Sequence, residues 1–533
     1  MSAQQTIRQG NAALGIELGS TRIKLCLTDA DTHEVLATGG HDWENQLVDG
    51  LWSYTLEQIW SGIAAAYADL ASATLRAHDT EITKLRGIGV SAMMHGYLPF
   101  DANDELLTPF RTWRNTNTTR AADELTALFG ENIPLRWSIA HLYQAMLDDE
   151  AHVSRVTWMT TLAGYVHWKL TGARVLGIGD AAGMLPVDAN THDFDAARVA
   201  QFDALVGERA WASVRDLLPE VLVAGEPAGA LTEAGARLLD ASGTLTPGAP
   251  FAPPEGDAGT GMVATSAVAP RTGNVSVGTS VFAMVVLERG LSEITREIDL
   301  VATPAGDPVA MVHCNNGASE LAAWVSMFEA AARAVGFTGT RDEVFGALFA
   351  EAERGAPDAG GVLSYNHLSG EPIAGLTEGR PLVVRQPDAD FSLANFMRSQ
   401  LYGVFGTLSL GMQVLADEHV AIDRMYAHGG VFRTAGTAQQ LLADALNTPV
   451  SVTDTASEGG AWGMAVLAAF ATAGSGLTLA NYLEERVFSA TPTTTLAPRQ
   501  EEAEGYLRYL ERYRSGLAAE RAAVVALPID TRI

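Results

Sequence analysis

Leu14-Gly-Ile-Glu-Leu-Gly-Ser-Thr-Arg-Ile-Lys-Leu-Cys-Leu-Thr-Asp29 and Gly273-Asn-Val-Ser-Val-Gly-Thr-Ser-Val-Phe-Ala-Met-Val-Val-Leu287 carry the same pattern. Each is a β-prone run, a tight Gly-Ser/Thr corner and a second β-prone run. The corner glycine lets a ligand approach the backbone, and the corner's N–H groups and hydroxyls suit phosphate oxygens. One such corner is only a turn. Two, about 260 residues apart, imply two related lobes that grip one polyphosphate from both sides. No shorter repeat accompanies the pair, which favours duplication over a solenoid.

The bulk composition agrees with a two-domain enzyme. A chain of 533 residues is too long for one ordinary core. With 47% hydrophobic and 18% charged residues it is globular rather than disordered. A net charge of −28 repels nucleic acid and anionic membrane, so neither is an expected partner. An anionic cosubstrate then needs local basic groups, backbone amides or a metal. Cys26 and Cys314 sit far apart among apolar or small residues and read as buried free thiols. The segment Met1 to Gly10 is polar, and no run of about 18 apolar residues occurs. A cytoplasmic location without a membrane span is expected.

Periodicity gives β segments over 14–29 and 85–100 and a helix over 55–76, whose face is Leu56, Ile59, Trp60, Ile63 and Tyr67. Residues 117–170 read as mostly helical and 173–188 as strands and turns. Leu321, Trp324, Val325 and Phe328 make one further helical stripe, and Phe405, Leu408, Met412 and Leu415 another. Residues 460–472 form an Ala/Gly-rich helix suited to close packing. Pro247-Gly-Ala-Pro-Phe-Ala-Pro-Pro254 is the clearest break. The expected domains are 12–255, 256–480, and an extension over 481–533 with a packed helix. Alternating strands and helices favour an α/β architecture with mixed sheets.

Asp257 is the leading candidate for chemistry. Glycines flank it in Glu255-Gly-Asp-Ala-Gly259, leaving room for a substrate hydroxyl to reach its carboxylate and give up a proton. The competing reading is a helix N-cap. Glu17, just before the first corner, can organise Mg²⁺ or its waters, or it is an ion-paired strand-end glutamate. Lys24 can reach a transferring phosphoryl group or lie along the surface. Met94-His95-Gly96 ends a strand and can meet sugar hydroxyls. Trp113-Arg114-Asn115 offers an aromatic face with polar groups, which suits carbohydrate, although Trp113 could equally pack in a core. His428-Gly-Gly-Val-Phe-Arg433 places a double glycine between a strand and a helix start, a setting for a flat ligand and phosphate. The P-loop pattern, zinc-ligand spacing and the serine-hydrolase elbow are all missing from the sequence.

Taken in order, these pieces resemble the FGGY carbohydrate kinases, of the actin/Hsp70-like ATPase fold. The likeness runs from Leu14 to about Phe470 and includes Gly179-Asp-Ala-Ala-Gly183 and Leu368-Ser-Gly-Glu371. It implies two actin-like (RNase H-like) lobes, mixed sheets flanked by helices, and an active-site cleft between them. It implies ATP and Mg²⁺ as cofactors, with Asp257 as catalytic base and Glu17 on Mg²⁺ through water. Ser20, Thr21, Lys24, Gly278, Thr279 and Ser280 match the family's phosphate contacts, and Gly429, Gly430 and Arg433 its nucleotide segment. Met94, His95, Trp113 and Asp257, with Arg114 beside them, fall where pentulose kinases hold sugar.

The chain departs from the family at Glu17, where Asp is usual, at Arg22, at Arg114-Asn115, at Val431 and at Leu162-Ala-Gly164. Met-His-Gly most resembles the xylulose kinases, so phosphorylation of a ketopentose primary hydroxyl, D-xylulose to xylulose 5-phosphate, is the expected reaction. L-ribulose, gluconate, glycerol and erythritol are the alternative acceptors. A nucleotide- or sugar-binding switch on the same fold is the non-enzymatic alternative. A small-molecule sugar and ATP are the expected partners, and a homodimer is in keeping with the family.

Overall fold

The computed structural model describes residues 1–292, 295–433, 436–453 and 459–528. The chain divides into two compact units. One comprises Met1–Ala269, Leu300–Val309 and Ser457–Thr491; the other comprises Pro270–Asp299, Ala310–Ala456 and Pro492–Ile533. The two units interleave along the chain, because packing rather than chain order sets their membership.

The first unit is built on a five-stranded sheet. Its strands are β1 (Ala12–Leu18), β2 (Arg22–Asp29), β3 (Val35–Asp42), β4 (Gly87–Ala92) and β5 (Glu255–Gly256), in the order β5-β4-β1-β2-β3. β1 runs antiparallel to β2 and parallel to β4. Every residue of β1 is buried, as a strand covered on both faces requires. Leu14, Ile16 and Leu18 join a core with Ile59, Ile63, Tyr67 and Leu70 of the helix Leu56–His78. That helix starts at a Thr55–Gln58 capping box.

The opposite face of the sheet is floored with glycine. A Cβ on Gly15 would lie 2.0 Å from the Ala461 carbonyl, one on Gly87 2.7 Å from that of Ala468, and one on Gly89 2.2 Å from the Met464 Cε. The helix Gly459–Ala473 therefore lies with its backbone directly on β1 and β4. This is why residues 459–473 belong to the first unit. The proline-rich run is likewise no linker. Ile88 donates its N–H to the Pro250 carbonyl at 3.0 Å and accepts from the Ala252 N–H at 2.9 Å, so the run lies along β4 and leads into β5. Prolines suit such an edge because they have no N–H to pair. Within the mostly helical stretch 117–170, Trp158–Thr160 pairs as a strand with Leu98–Phe100.

The second unit repeats the local plan. β6 (Thr272–Val277) runs antiparallel to β7 (Val281–Val286) and parallel to β8 (Arg424–Gly429); β9 (Val450–Thr453) and β10 (Thr493–Leu496) continue the sheet. The helix Gln500–Ala526 belongs here. Its buried face carries Tyr506, Tyr509, Tyr513, Leu517 and Glu520, at helical spacing. Tyr513 stacks on Tyr365 with ring centroids 4.7 Å apart. Among the described residues no helix is long and apolar enough to cross a membrane.

The glycine floor predicts opposite effects for one chemical change. Gly15→Ala should lower the thermal midpoint and cost about 1–3 kcal/mol through overpacking. Gly261→Ala, in a helix with open space around the new methyl, should raise stability by about 0.4–1 kcal/mol. Thermal and denaturant unfolding of both variants checks this.

Candidate functional site

The first corner, Gly19–Thr21, joins β1 to β2. Gly19 N–H donates to the Arg22 carbonyl at 3.0 Å and closes the turn. Three aromatic side chains hold the corner from outside. Trp43 Nε1 donates to the Gly19 carbonyl at 2.7 Å, Tyr54 OH to the Ser20 carbonyl at 2.6 Å, and Trp113 Nε1 to Ser20 Oγ at 3.1 Å. Trp113 is 38% exposed, so it is not a core residue. Arg114 lies over the Trp52 ring at 4.1 Å and donates to Asn45 Oδ1 at 3.0 Å. Thr21 is exposed, and Ser20 and Lys24 are partly so. Trp43 and Tyr54 were not among the sequence candidates, since nothing in their local pattern marks them.

The β1–β2 register sets Glu17 opposite Lys24, and Glu17 Oε2 lies 3.5 Å from Lys24 Nζ. The same oxygen accepts the Ala461 N–H at 3.2 Å, at the start of the glycine-seated helix. A carboxylate at a helix N-terminus is well placed electrostatically. Glu17 is thus engaged twice, which leaves it suited to touch a metal through water rather than directly. Among the described residues no group of three or more His, Cys, Asp or Glu is placed to hold a metal ion.

Asp257 is the first residue of the helix Asp257–Ala264, following the cap residue Gly256. Its Oδ1 accepts the Met94 N–H at 3.2 Å, and the N–H groups of Ala258 and of Asp257 itself also face its carboxyl. The helix thus carries the carboxylate to the end of β4, beside Met94 and His95. Dense surrounding protein and then the Glu17 charge push its pKa up to about 6. The residue is nevertheless exposed, and solvent screens such a shift. The chemistry of the site depends on the upward direction rather than the size.

Met94 and His95 are buried. His95 adopts a left-handed φ of 71° and Gly96 one of 103°, which turns the chain sharply out of the strand. His95 Nδ1 lies 3.3 Å from the Gly183 carbonyl, and its ring stacks on Trp137. The segment Gly179–Gly183 brings in two acids that the sequence analysis left without a role. Asp180 is buried, accepts from Thr161 Oγ1 at 2.6 Å, and its Oδ1 completes no hydrogen bond. Glu255 is buried against Gly177 and Gly179, where the backbone N–H groups of Gly179, Asp180 and Gly256 face its carboxyl. Burial pushes Asp180 up to about 7, with Asp257 adding to the rise, and burial pushes Glu255 well above the carboxylate range. A signal was present in the sequence: Gly-Asp-Ala-Ala-Gly frames Asp180 as Gly-Asp-Ala-Gly frames Asp257.

In the second unit, Gly278 N–H donates to the Ser280 carbonyl at 2.9 Å, and Gly278 and Thr279 are exposed. The parallel register puts Val277 beside Gly429. Gly429 has a left-handed φ of 118°, and a Cβ there would lie 2.1 Å from the Val277 carbonyl, so only glycine fits. The structure therefore brings Gly278, Thr279 and Ser280 together with Gly429 and Gly430. Arg433 ends the turn that follows; its side chain lies outside the described residues.

Residues 12–245 match the model of the N-terminal domain of the FGGY family of carbohydrate kinases, and residues 273–472 match that of its C-terminal domain. A xylulose kinase of Klebsiella pneumoniae is 25% identical over 201 residues, 36% of this chain and 40% of that protein's length. The crystal structure of a xylulose kinase from Lactobacillus acidophilus aligns with a TM-score of 0.76 at 17% identity, covering 97% of this chain and 99% of that one. A gluconate kinase from the same organism gives the same TM-score and identity, covering 97% and 98%. At that identity the likeness shows the fold alone, and it is equal for two different acceptors.

The buried acids make a stability prediction. The raised pKa of Asp180 means that the folded chain holds its proton more tightly than the unfolded chain does. Its contribution is full below about pH 4 and is lost as pH rises through about 7. Asp180→Asn should therefore melt near the wild type at pH 4–5. At pH 8 it should be more stable, by on the order of 2 kcal/mol. Melting curves across this range check the sign.

Proposed function

From the membership of the chain in the FGGY family of carbohydrate kinases, phosphotransferases that act on sugars, we propose that it transfers the γ-phosphoryl group of ATP to a primary hydroxyl of a ketopentose. D-xylulose is the favoured acceptor, because the Met94-His95-Gly96 strand end resembles that of xylulose kinases and a xylulose kinase is among its sequence relatives. The observation that carries the reading is Asp257, an exposed carboxylate bonded to the Met94 N–H at 3.2 Å.

In this reading Asp257 accepts the proton of the attacking hydroxyl. Its Met94 bond fixes which carboxyl oxygen faces the substrate. The exposed corners at Ser20-Thr21 and Gly278–Ser280 offer amides and hydroxyls to phosphate oxygens, and Gly429-Gly430 leaves room beside the second corner. Lys24, 44% exposed at its side chain, adds positive charge near the first corner. Mg²⁺ would neutralise charge on the ATP phosphates, with Glu17 reaching it through water and with most ligands coming from phosphate and solvent. Little covalent work falls to the protein; positioning and electrostatics dominate.

A coupled ADP assay over D-xylulose, L-ribulose, gluconate, glycerol and erythritol tests the acceptor, with D-xylulose expected to give the highest kcat/KM. Asp257→Ala should lower kcat by about 10²–10⁴-fold while ATP affinity stays near that of the wild type. Wild-type turnover in this variant would reject Asp257 as the base.

The pH profile is a separate check. Asp257 works only when ionised, so kcat/KM should fall as pH drops below about 6. The Glu17 charge helps to raise that pKa. Glu17→Gln should therefore move the acidic limb to lower pH, and a limb that stays put or moves up contradicts the coupling.

A further inference from the structure

We infer that Glu520, in a helix beyond residue 472 where the family match ends, is a positioning residue that holds the Gly278–Ser280 corner through His367 and Asn366. The inference rests on the proposed reaction, in which this corner meets phosphate.

The argument starts at the corner. Gly317 N–H donates to the Thr279 carbonyl at 2.7 Å, and Ala318 N–H to the Gly278 carbonyl at 2.8 Å. A Cβ on Gly317 would lie 2.4 Å from the Gly278 carbonyl, so this approach needs glycine. In a planar trans peptide the N–H points opposite to the preceding carbonyl. Tying down the carbonyls of Gly278 and Thr279 therefore aims the N–H groups of Thr279 and Ser280 away from the clasp, as a fixed pair of donors.

The clasp is itself held. Asn366 Nδ2 donates to the Gly317 carbonyl at 2.8 Å and to that of Asn316 at 3.3 Å. Asn316 Oδ1 accepts the N–H groups of Leu368 at 2.9 Å and Ser369 at 3.0 Å, and its Nδ2 donates to Glu371 Oε2 at 3.0 Å. The Leu368-Ser-Gly-Glu371 motif thus grips Asn316 through its backbone and the Glu371 carboxyl.

The last link fixes the motif. His367 Nδ1 lies 2.8 Å from Glu520 Oε2, and its Nε2 lies 2.9 Å from Thr407 Oγ1. Both His367 and Glu520 are fully buried. A carboxylate taken so far from water needs its partner, and the pair locks the ring in one orientation. Every step from the helix to the corner is then a hydrogen bond or a peptide unit.

The test measures ATP affinity by calorimetry and KM for ATP and sugar separately, on the full-length chain. Glu520→Ala should weaken ATP binding and raise its KM by about tenfold, with the sugar KM within about twofold. Glu520→Gln keeps an acceptor for His367 and should stay near the wild type. Tyr506→Phe removes a buried bond of the same helix, to Ser409 at 2.8 Å, that does not lead to the corner; it should leave ATP affinity unchanged. Should Glu520→Ala fail to fold, Thr407→Val, which leaves His367 Nε2 only the Tyr513 hydroxyl at 3.3 Å, should raise the KM for ATP by about threefold.

Unchanged ATP affinity in Glu520→Ala, or equal losses for ATP and sugar, overturns the inference. So does an ATP defect of the same size in Tyr506→Phe. A wild-type chain that binds no ATP overturns the proposed reaction and the inference with it.

Discussion

The approach of one helix backbone to one glycine-floored sheet face governs the first unit. Gly15, Gly87 and Gly89 remove the side chains that would hold Gly459–Ala473 away from β1 and β4. The consequences reach the site directly. Close approach puts the Ala461 N–H on Glu17. It also places Gly463 against the Thr260 carbonyl, where a Cβ would lie only 2.2 Å away. The helix that begins with Asp257 is therefore packed from behind by the same element that orders Glu17. Small residues on both partners are what allow this contact.

Four carboxyls follow one another from that contact inward. Glu17 raises Asp257, Asp257 raises Asp180, and Asp180 raises Glu255. They are not equivalent. Glu17 meets Lys24 and a helix N-terminus, whereas Glu255 is fully buried among backbone groups. Burial raises the pKa of Asp180 and of Glu255. Asp257 is the exposed member of the series.

Much of this was legible in the sequence. The paired hairpins fixed the two-unit plan, because a strand–Gly–hydroxyl–strand pattern has few structural readings. Asp257 stood out because glycines open the space around it. Less legible were features set by distant partners. The run Pro247–Pro254 reads locally as a linker and becomes an edge only because β4 lies beside it. Trp113 reads equally as a carbohydrate-facing aromatic or as a core residue until its exposure and its bond to Ser20 are known. Asp180 was visible as a motif without a role, since its burial depends on the packing of Gly183 against His95. Residues 459–473 join the first unit because their partners lie hundreds of residues earlier.

That last separation has a consequence for how the protein is made. β1 leaves the ribosome about 440 residues before the helix that covers it. At roughly 5–20 residues per second, the nascent chain spends on the order of 20–90 s with its glycine-lined face bare. The central sheet of the first unit is thus synthesised well before the helix that completes it. Until then it is a surface open to any other chain or chaperone that can offer a flat, small-residue helix.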